Sequence, residues 1–459
     1  MHGLDFVVTN AHVITMDAGR RVLAPGYVGV RGRHIVLVGE GPLPPDCDAR
    51  RTVDARGGVC HPGFIDTHAH VAWGLFRCAA SEHFTEDELF RFVDEPILTG
   101  ITDEHEHLGT LLACVEMLMN GTTCFADTGS ALRDLAPTAE AVEATGIRGM
   151  ISLLTGDAVE GVDALNMPLE TCLERVADGL ARYPLGDGLA WACAGLFGME
   201  GASDELVRQA KELGDRAGVR LNVHKSFSAG DVDACRARLA GRDPLEGYEA
   251  IGVLDPNLLL VHFNHCTSAE ADLLETAGAG VSHCPTASMM FAIGGSRHGR
   301  VPELLERGVP VALGTDSTHW GNAWDLSRSV YLAATLHKEA SGTKPAVSAE
   351  RALEMATLHG AQAVGRLDEL GSIEVGKRAD IVVHGVDRPE VHPPLEPVAS
   401  LVYSGQSRTV DLVLVDGSPV VEGGRPTRID LGDLLARVDR STRGLRELLG
   451  GQSPRQWSS

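Results

Sequence analysis

An α/β fold, a (β/α)8 barrel with a small β-sandwich built from both chain ends, is what the sequence predicts. Three observations carry the prediction. From about residue 64 to residue 316, eight short apolar runs of strand length alternate with helical stretches, and repeated β–α units of this length make a parallel sheet that eight of them close. Strand-like segments recur at both chain ends, outside that alternation. No GxGxxG follows the first run, so the doubly wound alternative lacks its usual support.

Taken in order, residues 3–60 read as short strands. LDFVVTNAHVITM, YVGVRGRHIVLVG and RTVDARGGVCHPG carry β-branched residues broken by Gly, Asp and Pro. The eight barrel runs are GFIDTHAH, TTCFAD, IRGMISLL, LAWACAGL, VRLNVH, LLLVHF, AGVSHC and VPVALGTD. Stretches such as HLGTLLACVEMLMN, LETCLERVADGLARY and SDELVRQAKELGDRAG supply helices between them. After about residue 372 the strands ADIVVHG, SLVYSG and TVDLVLVDGSPVVEGG return, and the simplest topology joins them to the N-terminal ones. The expected units are therefore 1–60 and 372–430 for the sandwich, 61–371 for the barrel, and 431–459 for an amphipathic helix with a fraying tail.

Composition narrows the function. The 459 residues are 44% hydrophobic and 22% charged, which excludes wholesale disorder. Forty basic and 63 acidic residues leave a net charge of −23, a surface that repels phosphate backbones and anionic lipid heads. Neither nucleic acid nor a membrane is an expected partner; a small-molecule substrate is, and a homo-oligomer is left open. Ten cysteines lie singly with no CxxC pair, the pattern of free thiols in a reducing compartment. With no signal-peptide core in MHGLDFVVTN and no long apolar run, the expected location is cytoplasmic.

The chemistry concentrates at strand ends. In HPGFIDTHAH, His68 and His70 are two apart on a strand, so both face the same side. Two imidazoles on one face suit a divalent metal, although packed histidines would give the same short pattern. Later strands end at or beside His224, His262, His283 and Asp316. A single strand-end histidine is ordinarily structural and a strand-end aspartate often caps the next helix. Five such strands meeting at the C-terminal rim of one barrel point to a metal centre.

These motifs resemble the amidohydrolase superfamily, in particular its branch of aromatic-ring deaminases and triazine chlorohydrolases. PGFIDTHAH is similar to that branch's first-strand motif, SHCPTAS to its seventh and GTD to its eighth; GSIEVGKRADIVV and VDLVLVDGSPVVEGGRPT are similar to its C-terminal sandwich strands. The resemblance implies His68, His70, His224 and Asp316 as metal ligands, and His262 as the strand-six histidine that touches the activated water or the substrate. Three imidazoles and a carboxylate leave an open position where a metal supplies hydroxide near neutral pH. Asp316 is then placed to move the water's proton to the leaving group. One divalent metal is implied, because the fourth strand, LAWACAGLFG, has no lysine to bridge a pair. Zinc leads, with iron, manganese and cobalt also suited to the set. Cys193 in that strand reads as a buried free thiol.

The implied activity is attack on a C–N bond of a small molecule, with deamination of an N-heterocycle first. Hydrolysis of an amide, urea or carbamate, or dehalogenation of a ring, is the alternative; a non-catalytic binding protein that keeps the fold is the distant one. The departures decide the order. Ring deaminases of the branch carry HxxE on strand five, and here, in HKSFS, Phe227 stands in place of the Glu. The usual histidine after strand four is missing from LFGMEGAS, and the small loop after GTD is replaced by STHWGN. His319, three residues beyond Asp316, is expected to face the open metal position and act as the substitute acid. His265, His283, Phe227, Met289, Trp320 and Asn322 are expected to touch substrate, with Trp324, Met290 and Phe291 as further pocket walls. Lys225, next to His224 on its strand, should point away from the interior. The cluster His105, Glu106 and His107 reads as a solvated helix start. His61 should lie at the beginning of its strand, away from the rim. Asp66 shares the face of His68 and is expected to be a buried, hydrogen-bonded partner of the ligands.

Overall fold

Two strand systems organise residues 3–158, 165–199, 201–405 and 407–449, the part of the chain that the computed structural model describes. The N-terminal segment makes β1 (Leu4–Ile14), β2 (Val22–Arg31), β3 (His34–Glu40), β4 (Ala49–Asp54) and β5 (Val59–Pro62). The parallel system follows with β6 (Phe64–Ala69), β7 (Thr122–Asp127), β8 (Arg148–Ile151), β9 (Ala190–Ala192), β10 (Ala194–Leu196), β11 (Leu221–Lys225), β12 (Leu258–His262), β13 (Gly280–His283) and β14 (Val311–Leu313).

Its hydrogen bonds run β6–β7–β8–β9 and β10–β11–β12–β13–β14, all parallel. β9 and β10 are one run divided at Cys193, whose amide donates to Ile151 while the next amide, of Ala194, donates to Arg220. This fourth strand therefore serves both ladders. At the opposite seam Ala69 pairs in parallel with Asp316, and the Thr315 and Asp316 amides both donate to the His68 carbonyl. The parallel strands close on themselves there, in the order the alternation predicts. β6, β7, β11 and β12 are buried at every residue, which is why they read as continuous apolar runs rather than alternating ones.

Helices lie between successive strands, among them Asp103–Met119, Leu169–Arg182 and Asp204–Ala217. The last shows why these segments are helical. The Ser203 side chain accepts the Leu206 amide, Asp204 and Glu205 face the positive end, and Leu206, Val207 and Ala210 are buried. Gly218 ends the helix at φ 71°, a left-handed conformation that glycine adopts without steric cost. In Asp103–Met119, Thr102 and His105 cap each other. The start is solvated at residues 102–104 as expected, but Glu106 is buried and accepts the Leu132 amide at 3.2 Å, because the β7 loop folds over it.

β15 (Ile381–His384), β16 (Val410–Val415), β17 (Ser418–Glu422) and β18 (Arg425–Pro426) complete the second system. β15 lies antiparallel to β5, with Val382 opposite His61, so both chain ends share one sheet. By hydrogen bonding these strands form a single sheet of nine. One of its faces encloses Phe6, Val28, Ile35, Ile381 and Leu412 in a separate core, while Val382, Val413 and Val415 join the core of the parallel system. Buried Arg148 of β8 ties the two systems together, donating to Asp380 at 2.7 and 3.1 Å and to Asp416. The terminal helix forms over Leu431–Leu448, and the tail expected to fray beyond residue 449 lies outside the described residues. All ten cysteines are free.

Two buried histidine pairs stitch this scaffold. His61, away from the rim as expected, meets His384 with Nε2 atoms 2.9 Å apart, and His283 meets His337 at 3.3 Å. Each contact needs one donor and one acceptor, so neither pair holds two full charges. Burial pushes His61 and His337 down from 6.5 to about 4. Between those values the unfolded chain binds more protons than the folded one. Stability is therefore complete above about pH 6.5 and falls as pH drops towards 4, by about 1.4 kcal/mol per pH unit for each such histidine. Urea unfolding of the metal-free protein between pH 7.5 and 5 should show that loss, reduced in His337→Gln.

Candidate metal centre

The seam between β6 and β14 builds the site. Asp66 accepts the His68 amide at 3.2 Å, the Thr315 amide at 3.1 Å, and the Thr315 hydroxyl on its other oxygen. Thr67 bonds Ser282 of β13 at 2.6 Å and the Leu313 carbonyl at 2.9 Å. These bonds set the register that carries His68, His70 and Asp316 to one rim, and they bear out the buried partner role expected of Asp66. Burial raises the Asp66 carboxyl to about 7 against the pull of its three hydrogen bonds.

Five predicted residues meet at that rim, all buried. Asp316 Oδ1 lies 3.5 Å from His68 Nε2 and 3.7 Å from His70 Nε2; Oδ2 lies 4.0 Å from His262 Nε2. His68, His224 and His262 bring one nitrogen each to within 4.8 Å of one another, as do His68, His70 and Asp316 with their ligand atoms. Burial, then mutual repulsion, holds His68 and His70 far below the usual imidazole range; burial also lowers His224 and His262. The rings are thus neutral, the form that binds a metal. His70 Nδ1 donates to the Gly129 carbonyl at 3.0 Å, which leaves its Nε2 lone pair facing Asp316. Thr128 meets His68 Nδ1 at 3.2 Å.

A divalent cation fits this donor set. His68 Nε2, the atom turned towards Asp316, is buried with no hydrogen-bond partner, a costly state for a polar atom unless something else binds there. His262 and Asp316 also hold left-handed backbones, both at φ 69°, conformations rare for non-glycine residues and concentrated at functional sites. Gly198 permits the close packing behind His224, since a Cβ there would stand 2.2 Å from the His224 carbonyl oxygen.

The remaining predicted residues divide. Phe227 and Trp320 do border the cluster: Phe227 packs edge-on to His262 at 4.8 Å and to Trp320 at 5.3 Å. Phe291 joins Trp320 at 4.5 Å. His283 is engaged with His337 instead, because the helix Leu326–Ser341 lies against the far side of β13. His265 stacks on His298, 5.2 Å away, at a separate surface cavity of about 440 Å³. Met289 is 47% exposed, as is Met290 nearly, so neither walls an enclosed pocket. The Asn322 amide donates to the Trp320 carbonyl, holding the turn. Trp324 donates to the Asp316 carbonyl at 3.0 Å and braces a predicted ligand rather than a pocket. Cys193 is a buried thiol raised to about 12 by burial. Lys225 points outward as expected, 3.4 Å from Cys235 and over the Tyr248 ring.

His319 is neither in the cluster nor in solvent: it is buried and bonded to Asp94 at 2.7 Å. Asp94, Trp73, Thr128 and Gly129 were not anticipated as site residues. Trp73, stacked on His70 at 4.6 Å, was within reach, being three residues beyond it. Asp94, in FRFVDEP, follows no motif.

Residues 59–420 match the model of the amidohydrolase family. The chain is 32% identical to a 5′-deoxyadenosine deaminase of Methanosarcina acetivorans, over 93% of this chain and 95% of that protein. It is likewise 32% identical to a 5-methylthioadenosine/S-adenosylhomocysteine deaminase of Syntrophobacter fumaroxidans, over 95% and 97% of the two. Among solved structures, a zinc-bound adenosine deaminase from Xanthomonas campestris matches with a TM-score of 0.88 at 25% identity, covering 97% of this chain and 99% of that one. An atrazine chlorohydrolase from Arthrobacter aurescens TC1 complexed with zinc shares the fold, with a TM-score of 0.86 at 24% identity over 95% and 100%.

Replacing Thr315 by valine leaves an oxygen of buried Asp66 without its hydroxyl partner. Thr315→Val should cost about 1–3 kcal/mol, read as a lower urea midpoint at unchanged slope.

Proposed function

Since the chain belongs to the amidohydrolase family and is a hydrolase of C–N bonds, we propose that it removes the exocyclic amine of a nucleoside-like N-heterocycle. The observation that carries the proposal is the buried cluster of His68, His70, His224, His262 and Asp316, with His68 Nε2 lacking a partner inside it. On this reading His68, His70, His224 and Asp316 hold one divalent ion, zinc before iron, manganese or cobalt, as the zinc in related structures supports. The ion supplies Lewis acidity that makes water a nucleophile near neutral pH.

The chain's own groups do the rest. Asp316 accepts the proton that water loses and delivers it to the departing nitrogen. His262, held by Phe227 on one side, steadies the oxygen that develops charge. Phe227, Trp320 and Trp73 form aromatic walls suited to a planar ring and exclude bulk water. The purine nucleoside derivatives named for the relatives supply the first substrates to test. Residues 61–371 are on this view the catalytic barrel, the terminal segments 1–60 and 372–430 fold over each other as a sandwich, and 431–459 is an appended helix and tail.

Phe227 favours a second reading. Its apolar side chain gives no proton to a ring nitrogen, so an amide, urea or carbamate, or a halogenated ring, whose carbon is already electrophilic, is the competing substrate class.

Elemental analysis of the purified protein should find about one divalent ion per chain, and an ammonia-release screen should respond to 5′-deoxyadenosine or a related purine nucleoside. His68→Ala should lose ion and turnover together. Ammonia from amides or ureas but from none of the purines, pterins, cytosines or triazines would move the assignment to the second reading. A metal-free, inactive wild type would remove both.

A further inference from the structure

Asp94 and His319 form a buried pair whose position calls for a function. They lie 225 residues apart in sequence, Asp94 at the end of the helical turn Phe90–Asp94 that follows β6 and His319 on the loop after β14. The loop after Asp316 lies across the mouth of the parallel strands. Its Thr318 accepts the Cys78 amide at 3.0 Å and donates to the Trp73 carbonyl at 3.3 Å. Trp320 leans to one side, onto Phe227 and Phe291. His319 leans to the other, 5.6 Å from the ring of Trp73, which itself stacks on His70. The imidazole therefore sits in the side-chain layer that covers the histidine cluster.

Its two nitrogens are unequal. Nε2 is bonded to Asp94 Oδ1 at 2.7 Å, while Nδ1 is buried with no partner. A carboxylate accepting at Nε2 keeps a proton on that atom. Nδ1 is thus the atom free to give and take a proton.

We propose that His319 Nδ1 protonates the ring nitrogen beside the amine-bearing carbon of the substrate, and that Asp94 is the residue that positions it. This rests on the deaminase reading above and gives that chemistry the proton Phe227 cannot supply. Water adds its oxygen to the carbon and its proton passes to Asp316. The carbon–nitrogen π pair moves to the ring nitrogen, which takes the proton from Nδ1. The amino group takes the proton from Asp316 and leaves with its bonding pair as ammonia. As the carbonyl forms, the proton of the added hydroxyl returns to Nδ1. The sum is ring amine plus water giving ring lactam plus ammonia, with both side chains restored.

The test uses the metal-loaded enzyme and a purine nucleoside that the wild type deaminates. His319→Ala should lower kcat by about 10²–10³-fold with a much smaller change in KM, and should keep its ion by elemental analysis. Asp94→Asn should lower kcat at least about tenfold, and Asp94→Glu should recover most of it. Inhibition by the lactam product, compared with an analogue whose ring nitrogen is replaced by C–H, reads the contact itself: the wild type should prefer the nitrogen compound, and His319→Ala should bind both alike. If His319→Ala does not fold, His319→Gln carries the same comparisons. Variants that turn over within about threefold of an active wild type, or that lose ion and activity together, would overturn this assignment alone. A wild type that deaminates no ring amine overturns the deaminase reading and this role with it.

Discussion

The contact between Asp66 and Thr315 is the constraint on which the site depends. It joins residues 249 apart in sequence, at the one seam where the last parallel strand must meet the first. His68 and His70 lie just beyond Asp66, and Asp316 just beyond Thr315, so whatever fixes that register also fixes the distances among them. The His68 carbonyl reinforces it by accepting two amides from the other strand. A slip of one residue would turn the His68 and His70 face outward. The carboxylate that prevents it is itself buried and tolerated only because every one of its bonds lands on the two strands it joins.

Burial then decides the chemistry of the rim. Four imidazoles packed ring against ring, His68 within 4.8–5.0 Å of His70, His224 and His262, cannot all carry charge in a site from which water is excluded. They stay neutral, and a single nearby carboxylate, Asp316, faces them. That balance suits a divalent cation better than it suits packing, because the rings present lone pairs to one another with no proton between them. The same logic, without a carboxylate, explains the pairs His61–His384 and His283–His337. There each contact is satisfied by one shared proton and no cation is called for.

The covering layer is where this chain departs from the ring deaminases it resembles. Phe227 replaces an acid and becomes a wall against His262. Trp320 fills a position where a small residue is usual and spans to Phe227 and Phe291. His319 fills the next and reaches the opposite side, to Asp94. Three substitutions in two loops thus make one connected layer, apolar towards β11 and β13 and polar towards the segment after β6.

The alternation of apolar runs and helices was sufficient to predict the parallel strands, their order and six strand-end candidates, because a buried strand must be apolar until it reaches the rim, where polar residues stand out; the resemblance to the family singled out the five that meet and set His283 apart. Asp66 was legible for the same reason, by its spacing from His68. The pairing of β5 with β15 was legible in outline, since two sets of strands left over from a closed system have only each other to pair with; that they form one sheet was not, because register between distant antiparallel strands leaves no local trace. The tertiary structure alone decided the partners of side chains that lie on loops. His283 ends its strand as His262 does, yet a helix behind it claims its ring. His265 turns to His298, Trp324 to the Asp316 carbonyl, and His319 to Asp94. Direction on a strand follows from a period of two, but a loop has no period, and the neighbour its side chain meets can lie 8 residues away, as for Trp324, or 225, as for His319.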